Sequence, residues 1–400
     1  MKQVMSDSPG SLSPAQRRRS IAAAIACISV FSITTGFASP LISLILESRD
    51  VSRSVIGTMA SVPSFAILVS TPFIPRLVAK IGIRRFISVC IGLEFVLFLL
   101  LPLFDNLVAW FVIRAIMGAS GSGLFVASET WINAVAQERT RGRVLAIYGM
   151  IISGSFGVGP ALIPIVGIDG YAPFVIGAVF IALASIPLVW AGHLSPAFEG
   201  RSRFGLIAFL FVAPTLTAAI WLSAFKEMAL SSLLPVYGVR NGLSSGDAAM
   251  MLTAFAVGAV LLQYPIGWLA DRINRYGLLI ACAIGGGLGA ALLPTMLTMG
   301  GAVLWVGLLI WGGIFSGLYT VAMVLVGQRF RGPELVTANA AIGFLWGAGA
   351  LTGPTAAGVA MDIWDPGGLS GIVTTITCMF IVFAIGRRIQ VINTRNRNHV

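Results

Sequence analysis

The chain has 400 residues, of which 57% are hydrophobic and only 10% charged, with a mean hydropathy of +0.93 and a formal net charge of +11. Soluble domains carry about 25% charged residues, so a water-exposed globular fold is excluded and a membrane-embedded one is expected. The basic surplus lies in short polar stretches between apolar runs, a pattern of membrane topology that sets nucleic acid aside as a partner.

Apolar runs of roughly 20 residues, enough to cross a hydrocarbon core about 30 Å thick, follow one another along the chain. They fall at 21–46, 55–75, 86–104, 107–130, 144–167 and 171–190, then at 206–235, 248–270, 277–297, 302–327, 336–360 and 369–386. The expectation is an all-α integral membrane protein with twelve transmembrane helices. Residues 1–20 and 387–400 are polar tails that read as disordered. Residues 21–190 and 206–386 form two six-helix bundles, joined by a short linker at 191–205. The first run is long and lacks a small-residue cleavage site, so it reads as a retained helix and not a signal peptide. Cys27, Cys90, Cys282 and Cys378 lie in apolar runs without paired spacing, which points to packing and not to disulfides or a metal.

The two bundles are related. Gly123-Leu124-Phe125 returns 194 residues later as Gly317-Leu318-Tyr319, and Gly159-Pro160 returns at the same offset as Gly353-Pro354. Val51-Ser52 returns 192 residues later as Leu243-Ser244. A constant offset near half the chain predicts two parallel repeats, which in transporters place a substrate site between the halves near the bilayer midplane. With twelve helices, 21 of the 26 basic residues fall in loops on the side of both termini. Arg49, Arg53 and Arg240 fall in loops on the other side, and Arg114 and Lys226 lie within helices. The positive-inside rule then puts both termini in the cytoplasm.

Several loop and helix segments carry a family resemblance. Pro265-Ile266-Gly267-Trp268-Leu269-Ala270-Asp271-Arg272 resembles the loop motif of the major facilitator superfamily, G-x-L-a-D-R-x-G-R-R. The matching stretch from Pro75 to Arg85 keeps the basic end but has Ala79 in place of the Asp. Arg114 and Gly118 fit the superfamily's R-x-x-x-G segment of helix 4. Glu129-Thr130-Trp131-Ile132-Asn133, with Arg141-Gly142-Arg143 and the residues through Tyr148, is similar to the YcaD-like branch of bacterial members. The drug-exporter motif G-x-x-x-G-P-x-x-G-G is only partly present in helix 5, where Gly159-Pro160 is followed by Ile163-Pro164 instead of glycines. Helix 11 matches it better, through Gly349, Gly353, Pro354 and Gly358. Gly159, Pro160, Gly353 and Pro354 read as helix-packing positions, because small residues allow close approach and Pro bends a helix. The resemblance implies a multi-pass protein of the bacterial inner membrane, with substrate contacts from helices 1, 4, 5, 7, 8, 10 and 11. It also implies a cytoplasmic gating network in which Glu129 pairs with Lys80 or Arg84. Asp271, Arg272, Arg331 and Glu334 would play that part in the second half.

Charges inside the membrane need a reason, since each costs about 2.5–3.5 kcal/mol on insertion scales. Glu94 lies midway along helix 3 and Arg114 at a similar depth on helix 4. They are expected to form an ion pair, either permanent or made and broken as protons or substrate bind. On helix 7, Thr215, Ser223, Glu227 and Ser231 share one face, while Lys226 points about 100° away. Glu227 is therefore the favoured functional group, with Lys226 expected to find a partner on a neighbouring helix or to snorkel outward. Ser32 and Gly36 on helix 1, Tyr148, Trp221 and Tyr319 within helices, and Asn339 and Trp346 on helix 11 are expected to line the cavity. Rings, small residues and few charges suit a planar or amphipathic organic solute.

The reading is a secondary transporter of a small amphipathic or aromatic solute, working by alternating access with proton coupling. Efflux of a drug or metabolite and uptake of a vitamin-like compound such as riboflavin both remain open. The three lysines (Lys2, Lys80 and Lys226) do not follow a glycine-rich phosphate loop, which argues against ATP-driven transport. The His, Asp or Cys clusters of a membrane enzyme do not appear, and neither does the filter loop of a channel or the soluble extension of a sensor. No metal, organic cofactor or obligate protein partner is expected; the partners are the solute, protons and the lipid bilayer.

Overall fold

A computed structural model of the chain describes residues 13–137, 141–186, 213–330 and 333–397. Among these the regular elements are helical. α1 is Pro14–Ser48. α2 runs from Arg53–Ser70 through a 3-10 turn, Thr71–Phe73, into Ile74–Ile81. α3 is Ile83–Leu100 and α4 is Leu107–Val135. α5 runs from Arg141–Val158 through a 3-10 turn, Gly159–Leu162, into Ile163–Val166, and α6 is Ala172–Leu183. α7 is Pro214–Arg240, α8 Ser245–Arg272, α9 Arg275–Met299, α10 Gly301–Arg329, α11 Pro333–Ile363 and α12 Gly368–Arg397. Ten of these are long and apolar enough to cross a membrane, and α6 is a shorter apolar helix over the residues described. The linker at 191–205 lies outside the described residues.

Helix ends follow local chemistry. α1 begins at Pro14, earlier than its apolar run, because Ser13 and Gln16 form a capping box: the Gln16 N–H donates to Ser13 Oγ (3.2 Å) and the Ser13 N–H to Gln16 Oε1 (2.9 Å). α12 continues to Arg397, past the expected end at 386. Arg388 on that extension lies over the Tyr276 ring of α9, 5.4 Å from its centroid. Parts of both supposedly disordered tails are therefore helical. The 3-10 turns of α2 and α5 fall at Pro72 and Pro160, where the missing N–H breaks the regular ladder.

Two corners have the same hydrogen bonding. After α1, Asp50 has φ 55° and the Val51 N–H donates to Leu46 O at 3.1 Å. After α7, Gly242 has φ 90° and the Leu243 N–H donates to Gly238 O at 3.1 Å. Ser244 then caps α8 through the Asp247 N–H.

The helices group into two compact units. The first contains α1 up to Ala38, α2 from Phe65, and α3 to α6; the second contains Ser39–Ser64 and α7 to α12. In the first, α3 packs on α6 through the Phe98 and Phe174 rings, 6.1 Å apart, and Trp131 Nε1 of α4 donates to Ser20 Oγ of α1. In the second, α8 and α10 touch backbone to backbone: a Cβ on Gly258 would lie 1.8 Å from Leu309 O, and one on Gly312 1.9 Å from Phe255 O. Such contact replaces the hydrophobic effect, which cannot drive association within lipid.

Gly312→Val is therefore expected to lower the thermal unfolding midpoint of the purified protein, by an overpacking cost of about 1–3 kcal/mol. Gly267→Ala, with open space around its Cβ position, is the control and should leave the midpoint unchanged.

Candidate functional site

In the first unit, Glu94 is 2% exposed and Arg114 8% exposed. They form no ion pair among the described residues, although Arg114 acts on Glu94 through space. A short hydrogen bond from Ser120 Oγ reaches Glu94 Oε1 instead, and the Arg114 Nε is buried with no hydrogen-bond partner. The serine, two turns beyond Arg114 on α4, offers a neutral donor at lower desolvation cost than a guanidinium. The carboxylate thus has a hydroxyl bonded to it and a cation near it but not paired. Ser32 on α1 is fully buried with its hydroxyl unpartnered, and Tyr148 on α5 is buried. Gly36 and Gly159 meet where α1 crosses α5: a Cβ on Gly36 would lie 2.0 Å from Phe156 O, and one on Gly159 2.3 Å from the Phe37 nitrogen. Pro160, beside them, is buried.

In the second unit, Lys226 is fully buried and its Nζ has no hydrogen-bond partner. It does not snorkel outward, and what it meets on a neighbouring helix is an aromatic ring. Its Nζ lies 4.1 Å from the centroid of the Phe315 ring on α10. Burial of such a charge costs about 2.5–3.5 kcal/mol on insertion scales, and a desolvated cation–π contact returns about 2 kcal/mol, so the ring offsets only part of the cost. Glu227 is half-buried on another face. The stripe hydroxyls bond back to their own helix, Ser223 to Ala219 O and Ser231 to Met228 O. Trp221 stacks obliquely on Phe225 at 5.2 Å, and Tyr319 meets Trp346 edge-on at 4.9 Å. These rings sit in pairs and not as isolated packing groups. Gly353 on α11 lets α7 approach, its Cβ position 2.2 Å from Phe225 O, and Pro354 O lies against Gly57 of α2.

The loop charges are placed as follows. Lys80 and Glu129 are exposed and Arg84 half-buried. Asp271 pairs with Arg275 one turn on, at 3.4 Å, and not with Arg272. Arg272 lies over the Trp268 ring at 4.0 Å. Arg331, and the side chains of Glu334 and Asn339, lie outside the described residues.

One cluster escapes the sequence reading. At the α1–α2 corner, Glu47 Oε1 lies 3.3 Å from Arg240 Nε, at the end of α7. Arg240 also makes a short bidentate contact with Asp365, just after α11, and Asp365 Oδ2 accepts from Arg53 at 3.1 Å. Asp362 on α11 caps α2 from outside that helix, accepting the N–H groups of Arg53 (2.9 Å) and Ser54 (2.8 Å). Further along, Ser39 bonds Ser232 (3.1 Å) and Thr355 donates to Ser61 (2.9 Å). A cavity of about 350 Å³ beside the cluster is lined by Leu44, Glu47, Asp50 and Arg240, among others. The signal was present: Arg53 and Arg240 are two of the few basic residues on the sparsely charged side, and acidic residues end runs 1 and 11. Pairings across more than 100 residues cannot be read from spacing alone.

Comparison with known proteins completes the assignment. The sequence profile of the Major Facilitator Superfamily matches residues 23–215 and again 216–396. The uncharacterized MFS-type transporter YfkF of Bacillus subtilis (strain 168) is 25% identical over 381 residues, covering 90% of this chain and 93% of the relative. The uncharacterized MFS-type transporter YcaD of Escherichia coli (strain SE11) is 23% identical over 358 residues, covering 86% and 90%. Among solved structures, a bacterial homolog of the human lysosomal transporter Spinster, inward-facing and unoccupied, superposes with a TM-score of 0.74 at 16% identity, covering 93% of this chain and 96% of that one. A mutant of the nucleoside transporter NupG gives 0.71 at 15% identity, covering 92% and 97%. Both likenesses are of fold. Helices that can span a bilayer and a profile matched from residue 23 to residue 396 agree: this chain belongs to the Major Facilitator Superfamily, a family of transporters and not of enzymes, and is a multi-pass membrane protein.

Proposed function

We propose that the protein carries a small amphipathic or aromatic organic solute by alternating access, coupled to protons, with two parallel six-helix repeats and both termini in the cytoplasm. The observation that carries the coupling is Glu94: a carboxyl 2% exposed, bonded by Ser120 and near Arg114, with which it forms no ion pair among the described residues. Such a group has alternative partners for its charged and neutral forms, which a proton-driven cycle requires. Glu227, half-buried on the helix that is the most buried of the spans, is the second candidate. The ring pairs Trp221–Phe225 and Tyr319–Trp346 support a planar or amphipathic solute. The matching corners at Asp50 and Gly242, and the two matches to one family profile, support the repeat. The crowding of basic residues on one side supports the orientation.

Efflux of a drug or metabolite is the first reading of direction. Uptake of a vitamin-like compound such as riboflavin is the second, favoured by the missing glycines after Gly159-Pro160 in α5. On the cytoplasmic side, Lys80, Arg84, Glu129, Asp271, Arg272, Arg331 and Glu334 would form the gate. The cluster of Glu47, Arg53, Arg240, Asp362 and Asp365 would close the opposite side.

Accumulation of riboflavin and of cationic dyes, in cells with and without the protein and before and after collapse of the proton gradient, tests the reading. Protein-dependent accumulation or depletion that vanishes with the gradient is expected; no change with any probe would retire the aromatic-solute assignment. Glu94→Gln should abolish gradient-driven movement, a loss of at least about tenfold, while sparing gradient-independent exchange. Normal coupled transport by that variant would leave Glu94 a structural role only. For the gate, Ser39→Cys with Ser232→Cys, in a background free of the four native cysteines, should crosslink under oxidation and arrest transport. Reduction should restore it, and unimpeded transport by the crosslinked protein would show that this contact need not open.

A further inference from the structure

Both units carry the same landmark. Cys90 on α3 and Cys282 on α9 stand 192 residues apart, and Gly123 on α4 and Gly317 on α10 stand 194 apart. In each unit the cysteine meets the glycine: a Cβ on Gly123 would lie 3.1 Å from the Cys90 sulfur, and one on Gly317 2.8 Å from the Cys282 sulfur. These contacts put α3 on α4 and α9 on α10 in the same register. One turn beyond Cys90 is Glu94; one turn beyond Cys282, at the same offset of 192, is Gly286. At the offset of 194, Gly121 on α4 corresponds to Phe315 on α10.

Each unit sends one ionisable side chain into this junction. In the first, Glu94 reaches in from α3, its Oε1 3.6 Å from the Cβ position of Gly121, which also touches Phe31 of α1. In the second, α9 has no side chain at Gly286, and the space is filled from α7. Lys226 Nζ lies 3.3 Å from the Cβ position of Gly286 and 4.1 Å from the Phe315 ring. Where α7 has Lys226, α1 has the short side chains of Ser32, Ile33 and Thr34 at the matching depth. The junction is conserved between the units, while the sign of its charge and the helix that bears it are exchanged.

Among the described residues the lysine has no acceptor there. The nearby carbonyl of Gly286 is taken by Trp311 Nε1, at 2.8 Å. The titratable groups acting on the amine are Cys282 on α9 and Glu227 on its own helix, and α10 presents the Phe315 ring. The ring offsets only part of the cost of burying the charge, and no acceptor among the described residues holds the ammonium, so the neutral amine is within reach. We infer that Lys226 is a proton-binding site of the second unit, the counterpart of Glu94 in the first, and that it gains and loses its proton during the transport cycle. The inference rests on the proton-coupled reading of this transporter.

Only three lysines occur in the chain, so Lys2→Arg with Lys80→Arg leaves Lys226 alone in an unaltered junction. Carbon-13 lysine labelling of that protein in lipid nanodiscs, followed by NMR, reads the charge of one amine. The signal should pass between ammonium and amine positions between about pH 5 and pH 9, a range in which an ordinary lysine stays charged. A Lys226 signal that never leaves the ammonium position overturns the inference. The titration does not depend on the solute, so that result leaves transport untouched. A titrating lysine in a protein that moves no probe would count against the transport reading and not against the site.

Discussion

Hydrocarbon offers no water to a polar group, and most of this structure answers that one constraint. Backbone groups are satisfied within helices because nothing outside would satisfy them. Where proline interrupts the ladder, at Pro72 and Pro160, the chain tightens into a 3-10 turn and continues. Serine and threonine side chains inside the helices turn back to their own carbonyls, as Ser223, Ser231, Thr34 and Thr377 do. Helices are held together by closeness, so glycine sits where α1 crosses α5, α8 crosses α10 and α7 crosses α11.

The same constraint makes the few interior charges informative. Glu94, Arg114 and Lys226 are each almost completely buried, yet none is closed into a tight ion pair. A permanent pair would have been the cheapest way to keep two charges in the bundle, because breaking it leaves an uncompensated charge. The arrangement instead gives Glu94 a hydroxyl, leaves the Arg114 Nε unbonded and rests Lys226 on a ring. Side chains so placed keep both charge states within reach, which suits a working cycle better than a scaffold.

The all-helical fold was legible because hydropathy and length are local quantities, and membrane helices obey them closely. Helix ends were less so: Ser13 and Gln16 extend α1 by a capping box, and Arg388 on Tyr276 anchors the end of α12, although both stretches look polar and loose in sequence. Glu94, Arg114, Lys226 and Glu227 stood out as charges in apolar runs, but their partners did not. Whether Glu94 meets Arg114 or Ser120 turns on a helix rotation of two turns' span, which periodicity does not fix. Helical spacing sets Lys226 and Glu227 on different faces, while the Phe315 ring, 89 residues away, could only come from packing.

The ionic cluster at the α1–α2 corner shows why position decides the use of a charge. Its side chains are 9–37% exposed, so water and salt weaken each pair and any one of them contributes little alone. Yet Asp362 holds two backbone N–H groups of α2 and Asp365 holds two guanidinium groups, so each carboxylate serves two partners at once. Many weak, wet bonds of this kind can be separated without leaving a charge stranded in lipid. A pair of equal number buried beside Glu94 could not be opened on those terms. Water-exposed charge pairs at the helix ends, single buried charges inside and glycine-tight crossings between helices are thus three responses to one solvent, each placed where that solvent permits it.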